Sequence, residues 1–207
     1  RILKDTGSLY LNMGDVYFGT KGFSRNAGKW KRKTDHHYKE HKIAKPDKKW
    51  LQHKQLLLIP VRVAASLQER GWVLRNNIIW EKANPLPAFS KDRRLPCYEY
   101  IFHFVRNKNY PRAKELSHHR DVIKTAVKPF GKHPASFSEE LISPLIETTC
   151  PENGIVYDPF MGSGTTACVA RKLNRQYVGS EISKEYHQLS INNLKNLSLE
   201  EDKNGIT

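Results

Sequence analysis

The chain reads as an α/β protein with an open sheet. Ile155, Val156 and Tyr157 form a short apolar strand, Gly162 and Gly164 supply a turn, and Ala167 to Leu173 are good helix formers with Val169, Ala170 and Leu173 on one face. A second strand pattern, Gln176 to Ile182, follows at once. Upstream, an amphipathic stretch at 55–70 separates strand-like runs at 9–13 and 72–82. Strands alternating with helices in this way build an open sheet with helical layers.

In such a sheet ligands sit at the carboxyl ends of the strands, which places Asp158 and the glycine turn at a binding crevice. Thr165 and Thr166 can cap the helix that follows. The turn is not a phosphate cradle, because it lacks the Gly-Lys-Ser/Thr ending and carries an acid that repels phosphate and suits an ammonium or a sulfonium. Glu181 falls at the end of the second strand, about twenty residues on, where a carboxylate can accept two hydrogen bonds from a ribose diol.

Whole-chain properties narrow the partner. The 207 residues suit one domain, and 35 Lys and Arg against 21 Asp and Glu leave a formal net charge of +14, which favours nucleic acid. Cys97, Cys150 and Cys168 show no metal-ligand spacing and form an odd set, as expected in a reducing compartment. No apolar run approaches the length of a membrane span, and no signal peptide is visible.

The remaining elements follow in order. Leu9, Leu11 and Met13 alternate as a strand closed by Asn12, Gly14 and Asp15, which face the crevice or merely start a turn. Residues 16–54 form a basic insertion, including Lys29, Lys31, Arg32 and Lys33, with interleaved aromatics and histidines suited to phosphates and bases; a solvated surface loop is the bland alternative. Its histidines have no cysteine nearby, so no metal is expected. Gln55 to Arg70 reads as one helix, and Trp72 to Lys82 and Tyr98 to Val105 as strands, the latter with Tyr100, Phe102 and Phe104 on one face. Lys91, Arg93 and Arg94 lie in a loop that can overhang the crevice, and Glu99 is either functional or, as is commoner for an acid at a strand start, solvent-facing or salt-bridged. Residues 110–132 read as a basic linker or DNA-facing loop, Ser138 to Ile146 as a helix despite Pro144, Lys184 to Leu197 as the last helix, and 198–207 as a fraying tail.

Asp-Pro-Phe-Met-Gly-Ser-Gly-Thr-Thr at 158–166, followed by Gly-Ser-Glu-Ile at 179–182, resembles the S-adenosylmethionine motifs of DNA methyltransferases that modify the exocyclic amino groups of cytosine (N4) or adenine (N6). The resemblance implies a Rossmann-like class I methyltransferase sheet, with the cofactor held by Asp158, Pro159, Phe160, Gly162, Ser163, Gly164, Thr165 and Glu181. It places His133 to Phe137, and Asn12, Gly14 and Asp15, at the methionine end of the cofactor. It also implies a double-stranded DNA substrate, a flipped base, a restriction-modification setting and a cytoplasmic enzyme of bacterial, archaeal or phage origin. Residues 72–105 resemble the middle of this family, and their look favours cytosine N4.

The cofactor motifs stand near the carboxyl end, which is the permuted, β-type order. In that branch an Asp/Ser-Pro-Pro-aromatic loop and two strands around it come earlier, and no such loop occurs in this sequence. A sheet with a hole at the amino end is therefore expected, belonging to a fragment of a longer enzyme or to one half of a split enzyme whose other chain supplies the loop. A nucleic-acid-binding module that retains a cofactor fold without turnover is the reading from another class, and an RNA methyltransferase is a third.

Overall fold

The computed structural model describes residues 2–18, 51–85, 87, 90–127 and 137–203. Its elements run β1 (Ser8–Met13), α1 (Ile59–Glu69), β2 (Val73–Lys82), β3 (Tyr98–Val105), β4 (Val122–Thr125), α2 (Glu139–Thr149), β5 (Ile155–Asp158), α3 (Thr165–Lys172), β6 (Gln176–Gly179) and α4 (Lys184–Lys203). Four strands pair in the order β1-β3-β2-β4, with β3 antiparallel to both neighbours and β4 parallel to β2. β5 and β6 form a separate parallel pair. Among the described residues no strand joins β1 to β5.

Alternation along the strands sorts side chains onto two faces. Phe102 and Phe104 of β3 meet Ala64 and Leu67 of α1, together with Leu9 and Leu11 of β1. Ile101 faces the other way and packs with Ile78, Trp80, Leu141 and Leu145, so α2 covers the second face. Fully burying side chains of this size contributes about 1.5–3 kcal/mol each. In β2, Leu74 packs on the α1 face while Ile78 and Trp80 pack on the α2 face, although all three positions share one parity. The register shift between Leu74 and Asn76 accounts for this, because one extra residue in a strand turns all that follows to the opposite face.

α2 also carries a third cluster. Ile142 and Ile146, beside Leu141 and Leu145 on the helix surface, meet Val156 of β5 and Val169, Ala170 and Leu173 of α3. Arg175 fastens this junction: its Nε and Nη2 donate to the Cys150 carbonyl at 3.1 and 2.8 Å, and its Nη1 donates to the Leu173 carbonyl. These carbonyls belong to the C-cap residues of α2 and α3, so one buried cation satisfies two helix ends whose dipoles favour positive charge.

Several boundaries differ from the sequence reading. α1 starts at Ile59, because Leu58 adopts a left-handed conformation and Pro60 fits a first turn. The 110–132 stretch is not wholly a linker: Val122–Thr125 adds a strand beside β2, and Ala83 donates its amide to the Thr125 carbonyl at 2.9 Å. β6 ends at Gly179, so Glu181 stands beyond the strand. The expected tail instead continues α4 to Lys203.

Two stability effects follow. Arg175→Ala leaves buried carbonyls without donors and is expected to lower unfolding free energy by about 2–4 kcal/mol in urea titration, with Arg175→Lys restoring only part because it cannot bridge both ends. His103 is buried on β3, and desolvation, helped by the nearby Arg75 charge, holds its pKa down at about 4. The unfolded chain therefore binds a proton that the folded chain refuses. Stability from this source is complete above about pH 6.5 and falls on the order of 3 kcal/mol as pH drops to about 4. A His103→Gln variant lacks that part of the slope.

Candidate cofactor site

β5 and β6 run parallel with Asp158 opposite Gly179, so the carboxyl ends of both strands open on one edge. The chain turns between them through Gly162 and Gly164, whose φ values of 54° and 88° lie in the left-handed region. Space as well as conformation constrains Gly164: a Cβ there would stand 2.8 Å from the Cβ and 3.1 Å from the Cα of Ser190 on α4. Asp158 braces the turn, its Oδ1 accepting the Phe160 amide at 2.9 Å and its Oδ2 the Thr166 hydroxyl at 2.7 Å. Thr166 is therefore a tie to Asp158; the N-cap of α3 is Gly164, with Thr165 as the first helical residue. From α4, the Asn193 amide donates to the Ser163 carbonyl at 2.8 Å.

Glu181 closes the arrangement. Its Oε2 accepts the Gly162 amide and its Oε1 the Ser183 amide, both at 2.8 Å. The acid is thereby held in one orientation, and a carboxylate with about four acceptor sites has two left to offer a ligand diol. Two apolar side chains stand in the open at the strand ends, Phe160 at 86% exposure and Ile182 fully exposed. Sequence reasoning placed Ile182 in the motif without giving it a role. An exposed large aliphatic next to a fixed acid is suited to the flat face of a ring, and its position immediately after Glu181 is the signal that could have found it.

Asn12, Gly14 and Asp15 gather elsewhere, at the carboxyl end of β1 in the larger sheet. The Asn12 amide donates to the Tyr100 carbonyl at 3.1 Å, and Gly14 lies beside the Glu99 side chain, which pairs with Lys82. Of the readings open for Glu99, the structure shows a salt bridge. The Tyr98 hydroxyl 3.4 Å away, with partial burial, pushes the Tyr100 phenol up to about 12. Asp15 serves α1: its Oδ1 accepts the Val16 amide at 2.8 Å and the Ile59 amide at 3.1 Å, which compensates for the lack of a side-chain cap at Leu58. Its Oδ2 is buried without a partner. Among the described residues no hydrogen bond or ion pair joins this group to Asp158 or Glu181.

Of the expected nucleic-acid contacts, Lys91 and Arg94 are exposed, whereas Arg93 is half-buried with its guanidinium 3.8 Å from the Tyr17 ring centre. The neighbouring Asp92 pairs with Lys54 at 2.6 Å, which holds its carboxyl near 2. Lys29, Lys31, Arg32, Lys33 and His133 lie outside the described residues. Among the described residues no cluster of His, Cys, Asp and Glu has the make-up of a metal site, and no helix is long and apolar enough to cross a membrane.

Residues 1–192 match the DNA methylase family of the N6/N4 type. The type II methyltransferase M.XycI of Xanthomonas campestris pv. cyanopsidis is 37% identical over 208 residues, spanning 94% of this chain and 67% of its own length. M.Cfr9I of Citrobacter freundii is 36% identical over 209 residues, with the same 94% and 67% coverage. The chain thus spans about two thirds of these relatives. Among solved structures, the M1.HpyAVI complex with S-adenosylmethionine is 31% identical with a TM-score of 0.58, covering 67% of this chain and 70% of that one. The cytosine-N4-specific PvuII DNA methyltransferase is 19% identical with a TM-score of 0.68 over 91% of this chain and 64% of its own, a likeness of fold. With an acid-braced glycine turn at the end of one strand and a fixed carboxylate past the end of the next, this chain belongs to the N6/N4 DNA methylase family, whose methyl donor is S-adenosylmethionine.

Proposed function

We propose that this chain carries the cofactor half of a DNA amino-methyltransferase that acts on cytosine N4, in preference to adenine N6, within a restriction-modification system. The observation that carries the reading is the fixed pair of carboxylates, Asp158 and Glu181, on either side of a glycine turn at the ends of adjacent parallel strands. The preference for cytosine rests on the family likeness of residues 72–105.

The donor set fits the cofactor. Glu181, oriented by two backbone amides, accepts hydrogen bonds from the ribose hydroxyls, and Ile182 and Phe160 offer apolar surface to the adenine ring. Asp158 places negative charge at the crevice while holding the turn open through Phe160 and Thr166. S-adenosylmethionine supplies an electrophilic methyl group on a sulfonium, so the protein's task is alignment, desolvation and a hydrogen-bond acceptor for the target amino group. The buried, unpaired Oδ2 of Asp15 is a suitable acceptor for an amino group on that side of the crevice. In this reading His133 and its neighbours cover the methionine end.

The Asp/Ser-Pro-Pro-aromatic loop is proposed to come with a strand that fills the space between the two sheets. Among the described residues β1 and β5 each have an unpaired edge, and Ile155 and Val178, 57% and 53% exposed, lie on a β5–β6 face that no described helix covers. Parallel strands are ordinarily covered on both faces, which supports such a completion.

Calorimetric titration with S-adenosylmethionine tests the cofactor half. Binding is expected for the chain and should weaken at least about tenfold in Glu181→Ala, the effect of removing a charge-assisted hydrogen bond. Gly164→Ala is expected to weaken it too, because both φ and the Ser190 contact oppose a side chain. Equal affinity in Glu181→Ala would overturn the ribose role. The target is read by mass spectrometry of nucleosides from DNA methylated after the loop-bearing segment has been supplied: N4-methylcytosine is expected, and N6-methyladenine would reverse the assignment.

A further inference from the structure

A cavity of about 320 Å³ lies on the α2 face of the larger sheet, towards the amino-terminal ends of β1 and β2 and apart from the cofactor crevice. Ile78, Pro144 and Leu145 give it an apolar wall, and Tyr10 and His103 its inner surface. Their rings stack with centroids 4.5 Å apart. His103 is only 1% exposed; its Nε2 shares a hydrogen bond with the Ser8 hydroxyl at 3.0 Å, and its Nδ1 has none among the described residues. Burial keeps the imidazole neutral at pH 7, and its ring lines this cavity. Around the mouth stand Asn76, His119, Arg120, Asp121 and Lys124. Lys124 is tied to Glu81 at 2.6 Å, whereas Arg120 makes no ion pair among the described residues.

We infer that this cavity is a second nucleotide site, which takes a nucleoside monophosphate with its base against Ile78, Leu145 and the edge of His103 and its phosphate on Arg120. The volume is at the lower end for small-molecule sites, about 300–1,000 Å³, and suits one nucleotide rather than a longer ligand. An apolar wall, an imidazole on the inner surface and a cationic mouth are what a base joined to a phosphate requires. Guanidinium is the cation best matched to phosphate oxygens, which assigns the anion to Arg120 rather than to the engaged Lys124.

Titration of the chain with dCMP tests the site, since a pyrimidine nucleotide shares no base with the adenosine of the cofactor. Binding should shift the His103 imidazole resonances in NMR spectra and weaken at least about tenfold in Arg120→Ala, while Glu181→Ala leaves it unchanged. Asn76→Ala, also at an exposed position, is expected to weaken it in the same direction. Competition by a 5′-phosphorylated single strand would assign the nucleotide to a strand end, and its absence to a free nucleotide. The inference is overturned if dCMP fails to bind, if inorganic phosphate binds equally well, if Arg120→Ala and Asn76→Ala have no effect, or if Glu181→Ala abolishes binding.

Discussion

Both halves of the molecule depend on one helix being apolar on two adjacent strips. Leu141 and Leu145 fill the space above the four-stranded sheet, while Ile142 and Ile146 face β5 and α3. Such packing demands four large aliphatics within two turns, and α2 supplies them with Pro144 between them. The Arg175 guanidinium then fixes the carboxyl ends of α2 and α3 in a common frame. A buried cation is costly by itself, but here it donates to carbonyls that helix geometry leaves unsatisfied. Among the described residues no strand hydrogen bonds connect the two sheets, and it is this helix, from behind, that sets the cofactor turn relative to the larger sheet.

Within the site, acids act first on the protein itself. Asp158, Glu181 and Asp15 each accept backbone amides from the segments they organise. A carboxylate that is already oriented by two donors loses less freedom when a ligand arrives, which is preorganisation in its simplest form. The glycines contribute in a complementary way. Gly164 admits the backbone of α4, and Gly179 leaves space into which the Met161 side chain folds, a Cβ there falling 1.8 Å from its methyl carbon.

Much of this was legible in the sequence because the relevant signals are local. β3 places Tyr98, Tyr100, Phe102 and Phe104 at every second position and spans the limits its sequence indicates, and the glycine turn with its flanking strand and helix is a contiguous pattern. What escaped depends on distant partners. β4 is only Val122–Thr125, too short for periodicity to stand out, and becomes a strand because β2 offers it an edge. Asp15 sits at a strand end but answers to Ile59, forty-four positions away, so no local pattern could reveal it as a helix cap. The bulge in β2 has no sequence mark either, although it decides which side chains meet α2. α4 outlasts its expected end through contacts with the turn and α3, including Arg171 to Ser198 at 2.5 Å.

The cofactor turn, its bracing acid, the ribose acid and the helix that holds the turn all fall within 155–203, one uninterrupted stretch with its own strand pairing. Nearly every hydrogen bond that shapes the crevice begins and ends inside it. A unit so self-contained is indifferent to whether the rest of the polypeptide is joined to its front or its back, provided that a matching apolar strip awaits it. Rearranging the order of segments in a gene would then leave the binding chemistry intact while relocating the joints to exposed loops, where chain breaks and new connections are tolerated. The permuted order of motifs is physically inexpensive for this architecture.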